Sequence, residues 1–137
     1  MSSAQRVDVF FYGILMDQEL LSAQGVLPLD GRHAVVRDVA LRIGQRAALA
    51  PAPGQQVHGV VFSLTLADVS RLYDVPSLRA YQPSAVLAEL VSGNVVPALC
   101  YNLPVPPRPE DRNPEYAAKL KAVAERIGLP KEYVESL

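Results

Sequence analysis

The chain has 137 residues, half of them apolar and a fifth charged, and its thirteen basic and fourteen acidic side chains leave a formal net charge of −1. Such a length builds one continuous core, and the balance is that of a globular chain rather than a disordered one. No basic stripe is present for phosphates, no apolar run approaches the roughly 20 residues that span a bilayer, and residues 1–6 (MSSAQR) lack a secretory apolar core, so neither nucleic acid nor membrane is an expected partner.

Residues 7–13 (VDVFFYG) are β-branched and aromatic and end in a glycine, which predicts a buried strand. A short helix opens directly after it at Met16, with Asp17 placed to cap it, and Gly25 and Pro28 end it. Residues 33–42 alternate irregularly, and Arg37-Asp38 marks a bulge or kink between short strands. Beyond Gly44, a strand is predicted over 46–50 and a tight turn over 51–54 (PAPG). The clearest central strand follows at 56–64 (QVHGVVFSL). Thr65 is the expected N-cap of a second helix with Asp68 three residues on, and Val69, Leu72 and Tyr73 supply its apolar face.

Pro83 leads into a strand over 85–91, and Ser92-Gly93-Asn94 turns it into a partner over 95–103. Residues 104–112, rich in proline, form an extended connector. Asn113-Pro114-Glu115 starts a last helix whose face is Tyr116, Leu120, Val123, Ala124 and Ile127; Gly128 closes it before a final short turn of helix. The predicted order is β-α-β-β-β-α-β-β-α, in one domain over 1–137. Hairpin-like pairs with few helices favour a mixed or antiparallel sheet curling toward a barrel rather than a doubly wound parallel sheet.

Several chemistries lack their parts. There is no GxGxxG after a strand, no GxxxxGK[ST] and no GxSxG, so phosphate cradles and a strained nucleophilic serine are missing. His33, His58 and Cys100 do not make a metal-ligand set at any useful spacing, so neither metal nor cofactor is expected. Cys100 and His58 both fall mid-strand, where a structural role is expected, and a lone cysteine fits a reducing cytoplasm.

What remains is a constellation. Tyr12-Gly13-Ile14-Leu15 stands where the first strand meets a helix, and amides there suit a carboxylate or an oxyanion. A V-x-G-V-V-F strand (57–62), a helix ending in Leu72-Tyr73, Tyr81 leading a new strand, and a strand ending Ala98-Leu99-Cys100-Tyr101 complete it. Together these resemble the γ-glutamylcyclotransferase-like (AIG2-like) family from about Val7 to Tyr101, leaving the C-terminal helix as an appendage. The resemblance implies an α+β fold, a small mixed β-barrel over about 7–103 with flanking helices, and a cavity floored by the Tyr12–Leu15 turn, where a γ-glutamyl amine or peptide cyclises to 5-oxoproline and releases its amine. The substrate's own α-amine attacks its own γ-carbonyl, so such an enzyme positions the substrate, stabilises the oxyanion and supplies a carboxylate to move the proton.

The family places that carboxylate on a glutamate a few residues before the tyrosine matched by Tyr81. Here the corresponding positions are Val75, Pro76 and Ser77, which leaves Asp74 as the stand-in base, with Glu89 a second, outward-facing acid. Tyr12, Gly13, Ile14, Leu15, Tyr81 and Tyr101 are the expected substrate contacts. Arg42 and Arg46 flank Gly44 as candidates to hold a ligand carboxylate. The competing expectation is a catalytically silent member that binds a small carboxylate or amino-acid-like ligand. A homodimer through the C-terminal helix is a further expectation.

Overall fold

The computed structural model describes residues 5–137. Five strands close into a barrel: β1 (Arg6–Phe11), β2 (Leu29–Ile43), β3 (Ala47–Thr65), β4 (Gln82–Leu90) and β5 (Val95–Asn102), in the order β1-β3-β2-β4-β5. Neighbours are antiparallel except at the closure, where β5 meets β1 in parallel with Val9 opposite Leu99. Among the described residues four α-helices flank it: α1 (Gln18–Ala23), α2 (Leu66–Leu72), α3 (Pro114–Arg126) and α4 (Lys131–Ser136). The small mixed barrel with flanking helices is therefore the fold.

The apolar run 9–12, from β1 into the turn that follows it, arises from its position. Val9 and Phe11 face the helices, in a layer with Met16, Leu21, Leu72, Leu120 and Val123, while Phe10 and Tyr12 point into the barrel with Val36, Val57, Val61 and Cys100. A strand covered on both faces cannot alternate apolar with polar residues. β3 obeys the same rule, with Val60, Phe62 and Leu64 on the helix side and Val57 and Val61 inside.

The helix starts match their capping residues. Asp17 accepts from the Glu19 amide at 3.0 Å, Thr65 Oγ1 from Asp68 at 3.1 Å, and Asn113 Oδ1 from Tyr116 at 3.1 Å. Each satisfies a donor that the first helical turn leaves unpaired. Asp17 also forms an ion pair with Arg126, which ties the start of α1 to the end of α3.

One expectation is corrected. The strands expected over 46–50 and 56–64 are not separated by a tight turn but merge into the single 19-residue β3, which begins at Ala47, so the described residues hold one strand fewer than predicted. Val39 lies opposite Pro51 and Arg37 opposite Gln56, so residues 52–55 face Asp38 alone. Pro51 and Pro53 offer no amide to a ladder. Gly54, at φ +82°, turns its amide onto Asp38 Oδ1 at 3.0 Å instead. The segment bulges out and rejoins the same neighbour. Asp38, at φ +64°, is the bulge foreseen at Arg37-Asp38.

Candidate functional site

β1 delivers the chain to Tyr12 and Gly13, and a single 3-10 turn (Ile14–Met16) follows. Gly13 sits at φ −104°, which any residue adopts, so space and not backbone freedom requires it. A Cβ there would lie 2.6 Å from the Tyr116 hydroxyl. The same hydroxyl accepts from the Ile14 amide at 3.2 Å. A donor expected to meet an oxyanion is thus met by a side chain of α3. The C-terminal helix is part of the site and not an appendage.

The turn floors a cavity of about 270 Å³. It is lined by Phe10 to Leu15, by Tyr73, Val75, Ser77, Leu78 and Tyr81 from the segment after α2, by Tyr101 of β5 and Tyr116 of α3, and by Gln24, Gln45, Arg46 and Ala47. Tyr73 stacks on Tyr101 with ring centroids 3.8 Å apart and planes 8° from parallel. Tyr12 donates to the Tyr101 carbonyl at 2.9 Å, and Tyr81 donates to the Ala47 carbonyl. Burial pushes the Tyr12 and Tyr73 hydroxyls far up from their ordinary range, raises Tyr81 to about 12, and raises Tyr116 against the opposing pull of the Ile14 amide. At neutral pH these hydroxyls are donors, not bases.

Charge is sparse here. Among the described residues Arg46 is the sole charged side chain lining the cavity, and its Nε donates to the Ser77 carbonyl at 3.1 Å. Among the same residues no carboxylate pairs with its guanidinium. None of them brings an aspartate or glutamate to the cavity lining.

Of the residues singled out in the sequence, the structure brings Tyr12, Gly13, Ile14, Leu15, Tyr81 and Tyr101 together. Asp74 is not with them. Its side chain is 79% exposed, outside the cavity lining, with Arg79 Nε at 3.5 Å. Asp74 follows closely on α2 and points to solvent, while Val75 and Ser77 take the cavity-facing positions. Glu89 pairs with Arg37 on the exposed side of the sheet. Arg42 also lies elsewhere: its Nη1 donates to the Pro107 carbonyl at 3.0 Å, holding the proline-rich connector beside a second hollow. Arg46 stands beyond the Gly44 turn, just before β3 begins, and lines the cavity, whereas Arg42 lies along β2. Tyr73 and Tyr116 are cavity residues that the sequence pattern assigns to helix faces instead. The signal for Tyr116 is the Asn113-Pro114 start, which fixes it in the first turn of α3.

Neither of the remaining nucleophile or ligand candidates joins the cavity. His58 packs its ring 4.7 Å from that of Tyr133. Cys100 is buried inside the barrel, and burial pushes its thiol up to about 12. Among the described residues no three His, Cys, Asp or Glu side chains gather as a metal-binding group, and no helix is long and apolar enough to cross a membrane.

These raised groups predict an alkaline weakness. A thiol or phenol whose folded pKa exceeds its unfolded value keeps its proton in the native state after the unfolded chain has lost it. Stability is therefore full below about pH 8.5, the unfolded thiol value, and falls as pH rises through about 10, where unfolded tyrosines ionise. Denaturant midpoints measured from pH 7 to 11 are expected to fall steadily above about pH 9, and a flat profile would contradict the burial of Tyr12, Tyr73 and Cys100.

Comparison with known proteins adds an independent line. The family model described as gamma-glutamyl cyclotransferase, AIG2-like, matches residues 9–119, which extends into α3. A sequence search of curated proteins gave no match. Among solved structures, one titled gamma-glutamyl cyclotransferase superposes with a TM-score of 0.77 at 19% identity, covering 96% of this chain and 86% of that one. An uncharacterized protein from Homo sapiens gives 0.76 at 21%, covering 96% and 85%. YkqA from Bacillus subtilis gives 0.78 at 20%, covering 96% of this chain and 52% of that one. At these identities the likeness is one of fold.

Proposed function

The chain belongs to the gamma-glutamyl cyclotransferase, AIG2-like family, and we propose that within it this protein binds a small carboxylate-bearing ligand without turning it over. One observation carries the reading: among the described residues no carboxylate lines the cavity. Cyclisation of a γ-glutamyl amine needs a group to take the proton of the α-ammonium and return one to the leaving amine. Tyrosines held above their ordinary range cannot take it at neutral pH, and Arg46 cannot take it at all. The cavity does keep what binding requires, namely a largely aromatic lining with few polar groups and one cation.

Cyclisation of a γ-glutamyl amine or peptide to 5-oxoproline is the second reading. It is favoured by the family match and by the position of the Tyr12–Leu15 turn at the cavity floor. The two readings separate by assay. Incubation with a panel of γ-glutamyl amines and dipeptides is expected to give no 5-oxoproline above the uncatalysed background. Small carboxylates are expected to raise the unfolding temperature, since a ligand at about a hundred times its Kd adds about 2.7 kcal/mol. Turnover by the parent chain would overturn the binding reading. Absence of both turnover and stabilisation would leave neither standing.

A further inference from the structure

The second hollow, of about 430 Å³, shares no lining residue with the cavity at the Tyr12–Leu15 turn. Its lining combines apolar side chains (Leu41, Ile43, Val57 and Tyr133) with three guanidinia, those of Arg42, Arg108 and Arg112. Among the described residues Asp111 is the sole carboxylate side chain there, and it is taken: it accepts from the Arg108 amide at 2.9 Å and pairs with the Arg108 guanidinium at 3.2 Å. Among the same residues no carboxylate pairs with Arg42 or Arg112, the chain-end carboxylate of the bordering Leu137 included.

Both guanidinia bond to main chain instead. Arg42 Nη1 donates to the Pro107 carbonyl at 3.0 Å, and Arg112 Nη1 to the Pro109 and Asp111 carbonyls at 2.8 and 2.9 Å. A guanidinium carries five N–H groups in a fixed fork, so each keeps donors on its other nitrogens. Two residues of chain span at most about 7 Å, so anchoring to Pro107 and Pro109 holds the two cations near one another. The connector that anchors them is itself fixed. Asn113 Nδ2 donates to the Gly44 carbonyl at 3.0 Å, and a Cβ on Gly44 would lie 2.9 Å from Pro107 Cβ.

Two guanidinia without a carboxylate partner therefore stand beside apolar side chains. A phosphate monoester carries about −1.5 to −2 charge at pH 7 and three terminal oxygens, so two forks can reach it from different sides. A single carboxylate offers one charge and one edge. We propose that this hollow binds a small phosphate monoester, with Arg42 and Arg112 on the phosphate and the apolar side chains against its organic part.

Three probes separate these contributions: phenyl phosphate has both parts, inorganic phosphate lacks the body, and benzoate lacks the second charge. NMR titrations of the full chain are run at low, matched ionic strength, because exposed charges are screened by salt. The side-chain Nε–H signals of Arg42 and Arg112 should move with phenyl phosphate, and that of Arg46 should not. The Kd read from the two moving signals is expected to be at least tenfold lower for phenyl phosphate than for either other probe. Arg112 is exposed, so Arg112→Gln should unfold at the parent's temperature while weakening phenyl phosphate about tenfold, and Arg112→Lys should recover part of the loss. Arg46→Gln should leave phenyl phosphate binding unchanged. A folded Arg112→Gln chain that binds phenyl phosphate undiminished overturns the proposal, as does benzoate binding equally tightly at these signals. Loss of phenyl phosphate binding in Arg46→Gln alone would assign the phosphate to the first cavity and overturn it too. No movement of either signal up to about 10 mM, well above a millimolar Kd, removes the site.

Discussion

A Val75→Glu chain is expected to form 5-oxoproline from γ-glutamyl amines about a hundredfold faster than the parent, or more. Val75 lines the cavity together with Tyr101 and Tyr116, in the stretch where the family resemblance expects its glutamate. A general base placed within reach of the reacting proton contributes on the order of 10² to 10⁴ in rate. Two effects act on the new carboxylate. Partial burial among aromatic rings raises its pKa towards neutrality, which suits a base, while Arg46 lowers it. Placement matters more, because an error of about 1 Å can cost roughly a hundredfold. Ser77→Glu therefore belongs beside it, since Ser77 lines the same wall two residues on. The substitution should also change what binds: an ammonium now has a partner, so zwitterionic ligands should bind more tightly than they do to the parent. Should both variants fold, bind γ-glutamyl amines and yield no 5-oxoproline, then the missing base is not what separates this cavity from a catalytic one.

The fold was legible where a local rule and the tertiary environment agree. The run at 7–12 is largely apolar because both faces of β1 are covered, and its neighbour Gly13 marks the turn. Asp17, Thr65 and Asn113 each sit where an uncapped helix start demands an acceptor, and each supplies one. The prolines at 51 and 53 misled because a turn signal reports a local backbone preference. Whether the chain then reverses or bulges is decided by its neighbour, here Asp38 receiving the Gly54 amide.

The site was legible to the same extent. Tyr12–Leu15, Tyr81 and Tyr101 could be gathered through the family resemblance, whose motifs stand at or near strand boundaries, and all of them line the cavity. Tyr116 could not, since its contact with Ile14 spans 102 positions in sequence and depends on how α3 docks. Arg42 and Arg46 are equivalent candidates on paper, and only their relation to the Gly44 turn separates them. Asp74 and Val75 illustrate the finest limit: one step along an irregular segment moves a side chain from solvent to cavity.

Gly59→Ala is expected to cost the fold about 3 kcal/mol or more. Gly59 lies on β3 beside Val60, which pairs with Phe11 at the end of β1. A Cβ built on it would stand 2.2 Å from the Phe11 carbonyl oxygen and 2.8 Å from the Phe10 ring. Those are not flexible tips. One is backbone in a ladder and the other a ring buried to 1% exposure inside the barrel. Overpacking of a tight core typically costs about 1–3 kcal/mol, and a clash with main chain falls at the upper end or beyond. For a chain of this size that lowers the unfolding temperature by roughly 6–12 °C. The strain would travel along β1 into Tyr12 and Gly13, so any surviving folded protein should also bind carboxylates more weakly. Gly54→Ala is a poor control, because its positive φ brings strain of its own; Ala52→Gly, in the bulge away from the cavity, is the better one. If Gly59→Ala unfolds within about 2 °C of the parent, roughly the effect of half a kcal/mol, the close approach of β3 to β1 that shapes the cavity floor is wrong.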